Sequence, residues 1–187
     1  VLDVCAAPGG KSFSSAFAME DQGQIISCDL HENKLKRIHE GAERLGITSI
    51  TAVTADGRDH RPEWDGQFDV VLVDAPCSGL GIIRKKPDTR YKKADDLFTL
   101  PVIQAEILEN AARYVRPGGT LLYSTCTIRT GENEDVVKAF LASHPEFKTE
   151  AFSLPGPIGL CEQGMVTLWP HRHGTDGFFI CKLRKEE

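Results

Sequence analysis

The run Phe68–Asp74 (F-D-V-V-L-V-D) most constrains what this chain can fold into. A short, near-continuous apolar segment of this kind reads as a strand buried on both faces, and such strands belong to parallel sheets covered by helices. The rest of the chain supplies the partners. Val1–Cys5 is a short apolar run that ends at a Pro-Gly-Gly turn, and Lys11–Met19 reads as a helix opening straight off those glycines. Gln24–Asp29 and the β-branched Ser49–Thr54 are further strands. Between them, Glu32–Leu45 carries Leu35, Ile38, Ala42 and Leu45 at helical spacing, with Gly46 placed as a C-terminal cap. Pro101 stands as a first-turn residue for a helix over Val102–Val115, and Thr120–Thr125 is the next strand. Glu132–Ala142 is predicted helical, and Phe147–Phe152, Met165–Leu168 and Phe178–Leu183 are late strands without long helices between them. Alternation at this density predicts one α/β domain over residues 1–187. Its expected architecture is a Rossmann-like, mostly parallel sheet with helices on both faces and a partly antiparallel end.

Composition excludes several classes. With 41% hydrophobic and 26% charged residues, the chain is neither disordered nor fibrous. No apolar run approaches a membrane span and no signal peptide is visible, so a cytoplasmic location is expected. The six cysteines lie 20 or more residues apart, without a C-x-x-C pair, which speaks against structural zinc and for reduced thiols. Val1 opens directly on a strand pattern, as the excised core of a longer protein would. The net charge of −5 does not by itself announce a nucleic-acid binder.

Ligands of such sheets bind beyond the carboxyl ends of the strands, so the turns that follow strands carry the chemistry. The first reads Cys5-Ala6-Ala7-Pro8-Gly9-Gly10-Lys11, small enough for close backbone approach to a ligand. It is not a Walker A loop, whose leading glycine would fall at Cys5, and no G-x-G-x-x-G is present. An adenosine-type site remains. Asp29 closes the second strand, 20 residues after Gly9, where it would accept bonds from ribose hydroxyls, and Asp56 follows the third, within reach of an adenine edge. The turns after the fourth and fifth strands read Asp74-Ala75-Pro76-Cys77-Ser78-Gly79 and Ser124-Thr125-Cys126-Thr127. Two cysteines are thereby expected to face one crevice, 49 residues apart in sequence.

D-V-C-A-A-P-G-G-K, D-A-P-C-S-G and S-T-C-T-I, in this order, resemble the motifs of the Sun/Fmu-type S-adenosylmethionine-dependent RNA cytosine-5 methyltransferases. G-I-I-R-K-K-P-D, G-E-N-E and H-G-T-D-G-F-F-I are similar to the bacterial 16S ribosomal RNA branch of that family. The resemblance implies a seven-stranded methyltransferase sheet that binds S-adenosylmethionine through Cys5–Lys11, Asp29, Asp56 and Asp74. It also implies an RNA substrate, ribosomal in the first instance and transfer RNA as the alternative. Cys126 would then be the nucleophile that adds to carbon 6 of cytosine, and Cys77 would assist proton removal and product release. The chemistry asks for such a thiol, because cytosine carbon 5 becomes nucleophilic only after addition at carbon 6. An acid near ring N3, with Asp74 as the candidate, would stabilise the charge that develops. The family's N-terminal RNA-binding domain is missing from this sequence.

Residues 84–93 hold Arg84, Lys85, Lys86, Arg90, Lys92 and Lys93 against one Asp, directly after the Pro-Cys motif. Beside a reactive thiol such a loop is expected to contact phosphates, which gives affinity whatever the overall charge. A methyltransferase for exocyclic amines would need an Asn/Asp-Pro-Pro-aromatic turn where this chain has Ala75-Pro76-Cys77. A non-catalytic RNA-binding module would have no use for both thiols.

Overall fold

The computed structural model describes residues 1–91 and 94–187. Along the chain run β1 (Leu2–Asp3), α1 (Gly10–Ala18), β2 (Ile25–Asp29), α2 (Glu32–Leu45), β3 (Ile50–Thr54), β4 (Phe68–Asp74), α3 (Ala94–Tyr114) and β5 (Val115–Thr125). There follow α4 (Glu134–Ser143), β6 (Phe147–Thr149), β7 (Phe152–Leu154), β8 (Gly159–Cys161), β9 (Met165–Leu168), α5 (Pro170–His173) and β10 (Phe178–Lys185).

The main sheet has the order β3-β2-β1-β4-β5-β10-β6, with β9 paired to β10 as well. Strands β1 to β5 are mutually parallel, and β10 is antiparallel to β5, β6 and β9. The expected seven strands are therefore eight. Strand β9 covers the first half of β10 (Phe178–Cys181) and β6 its end (Leu183–Lys185), so the two share one edge. From β1 the chain winds outward to β3, then returns to place β4 on the other side of β1. That reversal opens a crevice at the carboxyl ends of β1 and β4.

Successive side chains on a strand point to opposite faces. On β2, Ile25 packs with Ala16 and Ala42 of α1 and α2, whereas Ile26 packs with the cluster built on Val71, Ile107, Leu108, Val137 and Phe140. Helices α1 and α2 thus cover one face, and α3 and α4 the other. Two local devices aim α1 and close α2. Gly9 has φ +109°, and a Cβ there would lie 2.5 Å from the Phe13 ring. Gly46, at φ +67°, ends α2 in the left-handed conformation expected of a cap.

Several expected boundaries move; β5, for one, starts at Val115 rather than Thr120. Helix α3 begins at Ala94, eight residues before Val102, and carries Pro101 inside it. A proline there removes the N–H that would bond the Leu97 carbonyl. The Arg129 guanidinium supplies the missing donor, 3.0 Å from Leu97 O. Residues 130–132 form a 3-10 turn, so α4 starts at Glu134 rather than Glu132. The stretch Phe147–Phe152 is not one strand: β6 joins the main sheet, while β7 pairs with β8 in a separate hairpin.

Candidate active site

Two adjoining cavities lie over the carboxyl ends of β1, β2 and β4. The larger, about 370 Å³, is lined by Cys5, Asp29, Asp56, Asp74, Ile103 and Ile107 among others. The second, about 300 Å³, is lined by Asp3, the turn from Cys5 through Pro8, Gly10, Lys11 and Asp74. Cys5, Ala7 and Asp74 border both, so a long ligand can run from one to the other. The structure therefore gathers most of the predicted cofactor residues in one place.

Their electrostatics are specific. Asp29 is buried; its Oδ1 accepts from the His31 backbone N–H (3.0 Å) and forms an ion pair with Lys34 (3.2 Å). Asp56 is gripped by the Arg58 guanidinium, through Nε at 3.0 Å and Nη2 at 2.6 Å, which holds its carboxyl below the usual range. The adenine-edge role expected of Asp56 thus falls to an acid already engaged by Arg58. Asp74 pairs with Lys11 at 2.5 Å and accepts from Ser124 Oγ at 2.9 Å. Both of its oxygens are occupied, so it stands as an acceptor. Sequence reasoning passed over Asp3, which has no exposed surface and takes one bond at Oδ2 from Ser12 Oγ (2.7 Å). Its Oδ1 has no partner, and burial raises its carboxyl to about 6. The available signal was a charge inside the apolar V-L-D-V run.

The two cysteines meet as expected. Cys77 Sγ and Cys126 Sγ are 3.2 Å apart, each partly exposed, on the turns after β4 and β5. The bond between them divides the pair. Either sulfur can donate, and Cys126 is lowered to about 7 chiefly by that bond and in part by Lys86. Cys77 is raised by the same bond and by burial. Of the two thiols, Cys126 is the one whose environment favours the thiolate.

Around the thiols the chain is tied at every neighbouring residue. Gln104 Nε2 donates to Pro76 O (2.9 Å), and the Ser78 N–H donates to Glu132 Oε2 (2.8 Å), so Cys77 is held from both sides. Thr125 Oγ1 donates to Asn133 Oδ1 at 2.5 Å, and Asn133 Nδ2 donates to Thr127 O (3.0 Å), so Cys126 is held likewise. A bond between Ser78 Oγ and Thr127 Oγ1 at 2.7 Å joins the two turns. Glu132, Asn133 and Gln104 have at most traces of exposed surface. No role was expected of any of them; G-E-N-E entered only as a segment of the family resemblance that opens a helix.

The basic loop is less free than its composition implied. Arg84 and Lys85 both pair with Asp176, at 2.8 and 2.6 Å. Arg90 donates to Pro87 O (3.3 Å) and lies 5.9 Å from the Tyr91 ring centroid. Lys86 is the member whose charge reaches Cys126. Lys92 and Lys93 lie outside the described residues. The loop is fastened beside the thiols by backbone: Gly81 N donates to Cys126 O (3.0 Å) and Gly177 N to Gly81 O (2.8 Å). A Cβ on Gly81 would lie 2.1 Å from Gly177 O, so these strands of chain approach more closely than any side chain allows.

The sequence profile of the 16S rRNA methyltransferase RsmB/F family matches residues 1–184. The chain belongs to that family. It is 48% identical, over its whole length, to the probable ribosomal RNA small subunit methyltransferase B of Bacillus subtilis. It is 37% identical, over 99% of its length, to the ribosomal RNA small subunit methyltransferase F of Cronobacter sakazakii. It spans 43% and 40% of those two proteins, less than half of each. Among solved structures, NSun6 from Pyrococcus horikoshii with SFG superposes with a TM-score of 0.86 at 34% identity, covering all of this chain and 47% of that one. The fold is that of the RsmB/F methyltransferases.

Proposed function

We propose that this chain is the catalytic domain of an RNA (cytosine-5) methyltransferase that modifies small-subunit ribosomal RNA through a covalent Cys126 adduct. The observation that carries the proposal is the 3.2 Å contact of two thiols, one of them next to Pro76 in the wall of a cavity that adjoins a second. The RsmB/F relatives named for the small-subunit ribosomal RNA support the substrate class.

The cavities fit S-adenosylmethionine, of which SFG is an analogue. Asp29 would hold the ribose. The turn from Cys5 to Lys11 would flank the amino-acid end, where the unpartnered Oδ1 of Asp3 offers a buried acceptor to an ammonium group. When bound, the cofactor supplies an electrophilic methyl group.

The residues then divide the work. The Cys126 thiolate forms a bond to carbon 6 of cytosine, and the ring electrons make carbon 5 the nucleophile that accepts the methyl group. As charge develops on the ring, N3 takes a proton from water, and Asp74, kept as an acceptor by Lys11, accepts the hydrogen bond of that N3–H until the proton returns to water on elimination. Once Cys126 sulfur is bonded to carbon its charge is gone, and with it the main reason for the high proton affinity of Cys77. Cys77 then gives its proton to water and, as a thiolate, takes the carbon 5 proton. Those electrons restore the ring double bond and expel the Cys126 sulfur.

The two thiols should therefore fail differently. With target RNA and S-adenosylmethionine, Cys77→Ala in the full-length protein should accumulate a crosslinked, RNase-sensitive band on a denaturing gel. Cys126→Ala should give neither the band nor methylated product. A band with Cys126→Ala would reverse the roles, and full activity in both variants would end the covalent mechanism.

A further inference from the structure

Glu132 is a fully buried carboxylate that no step above uses, and it sits next to a fully buried amide, Asn133. Burying a carboxylate is costly unless its oxygens are bonded, and here every donor is informative. The Ser78 backbone and Gln104 Nε2 share Oε2 (2.8 and 3.0 Å), and Arg129 Nη1 reaches Oε1 (3.1 Å). Gln104 in turn grips Pro76 O. Glu132 therefore controls the turn that carries Cys77, and Asn133, through Thr125 and Thr127, controls the turn that carries Cys126. Two consecutive residues hold one thiol each. The Tyr123 hydroxyl donates to Glu132 O at 2.7 Å and anchors them to β5.

We infer that Glu132 and Asn133 are positioning residues for methyl transfer, setting the sulfur–sulfur spacing by holding the Cys77 turn and the Cys126 turn respectively. The inference rests on the proposed function, and it explains why a chain would keep an acid in its core at this point. A buried network fixes geometry only when each member is satisfied. A glutamine at 132 cannot satisfy this one: with its oxygen on Ser78 and Gln104, its NH2 group faces the Arg129 guanidinium. The Cys77 turn should then drift, and Cys77 should cease to hold its S–H against Cys126.

The test reads the thiols directly. The rate at which iodoacetamide alkylates Cys126, located by peptide mass spectrometry, is followed against pH in the full-length protein without RNA. In Glu132→Gln the midpoint should rise from that of wild type toward the roughly 8.5 of a free thiol. With RNA and cofactor, methylation should fall by about tenfold or more, the loss expected when one bond to a charged group is removed. The adduct should outlive that of wild type, because release depends on Cys77. Cofactor binding, measured by calorimetry, should be retained. A wild-type alkylation midpoint and adduct lifetime, with only a lower melting temperature, would overturn the inference. Should Glu132→Gln fail to fold, Thr127→Val decides. It removes the Ser78–Thr127 bond while keeping Glu132, and it should move the midpoint in the same direction; an unmoved midpoint overturns the proposal. Absence of any adduct in Cys77→Ala would refute the proposed function instead, while the alkylation profile would still report the spacing.

Discussion

Asp3 shows what a single residue can cost and why a site keeps it. In the unfolded chain its carboxyl has the ordinary value of 3.8, and in the folded protein burial lifts it to about 6. Below the unfolded value both states carry the proton and nothing is lost. Between about 4 and 6 the unfolded chain ionises while the folded one still holds its proton, so folded stability falls as pH rises, and above 6 the loss is constant. Two pH units correspond to about 3 kcal/mol at most. Asp3→Asn should escape this loss. The stability difference, variant minus wild type, should therefore grow from pH 4 to pH 7 in urea titrations, and parallel curves would show that Asp3 is not the titrating group. Asp3 and Glu132 also mark where residue-level reading of a sequence stops. Cys77, Cys126 and Asp29 were legible because motif and strand end coincide. Glu132 was not: G-E-N-E stood out only as a motif of the resemblance, and two of its three side-chain partners, Gln104 and Ser78, lie 28 and 54 residues away.

At the scale of elements, β-branched and apolar runs located every strand from β1 to β5, since a buried strand is written in consecutive residues. Helix α3 was misjudged by eight residues for a physical reason: Pro101 normally marks a first turn, and only Arg129, from the far side of the Cys126 turn, makes it tolerable in mid-helix. Arg129 is thus shared between the carbonyl left open by Pro101 and the buried Glu132. Arg129→Met should destabilise the fold by about 3 kcal/mol, because it strands a buried charge. Pro101→Ala restores an N–H to Leu97 O and should return part of that loss in the Arg129→Met background, while doing little alone. Additive behaviour in the double-mutant cycle would show that the two do not share the carbonyl.

For the molecule as a whole, charge is unevenly spent. A net −5 is compatible with RNA binding only if cations concentrate where RNA lies, and the loop from Arg84 beside the thiols is that place under the proposed function. Asp176 already neutralises part of it. Replacing Arg84, Lys85 and Lys86 together by Gln should lower the slope of log affinity against log salt by about 2, from three lost phosphate contacts. Asp176→Ala should steepen it. A filter-binding titration in which neither variant moves the slope would remove the loop from the interface.

Strand β10 is the last strand of this chain, yet it lies inside the sheet, between β5 and the pair β6 and β9. Phe179, Cys181 and Leu183 on it have no exposed surface, and Phe179 pairs with Thr125, the residue before Cys126. Time therefore enters the architecture. On a translating ribosome β5 emerges about fifty residues before β10, an interval of roughly 3–10 s at ordinary elongation rates. For those seconds β5 offers an unpaired edge that other chains can join. The thiol pair, which needs both turns fixed, is among the last features to form. Nascent chains paused between residues 130 and 178 should accordingly be the ones that aggregate or recruit chaperones, and release of the last strand is what turns a half-built sheet into a site.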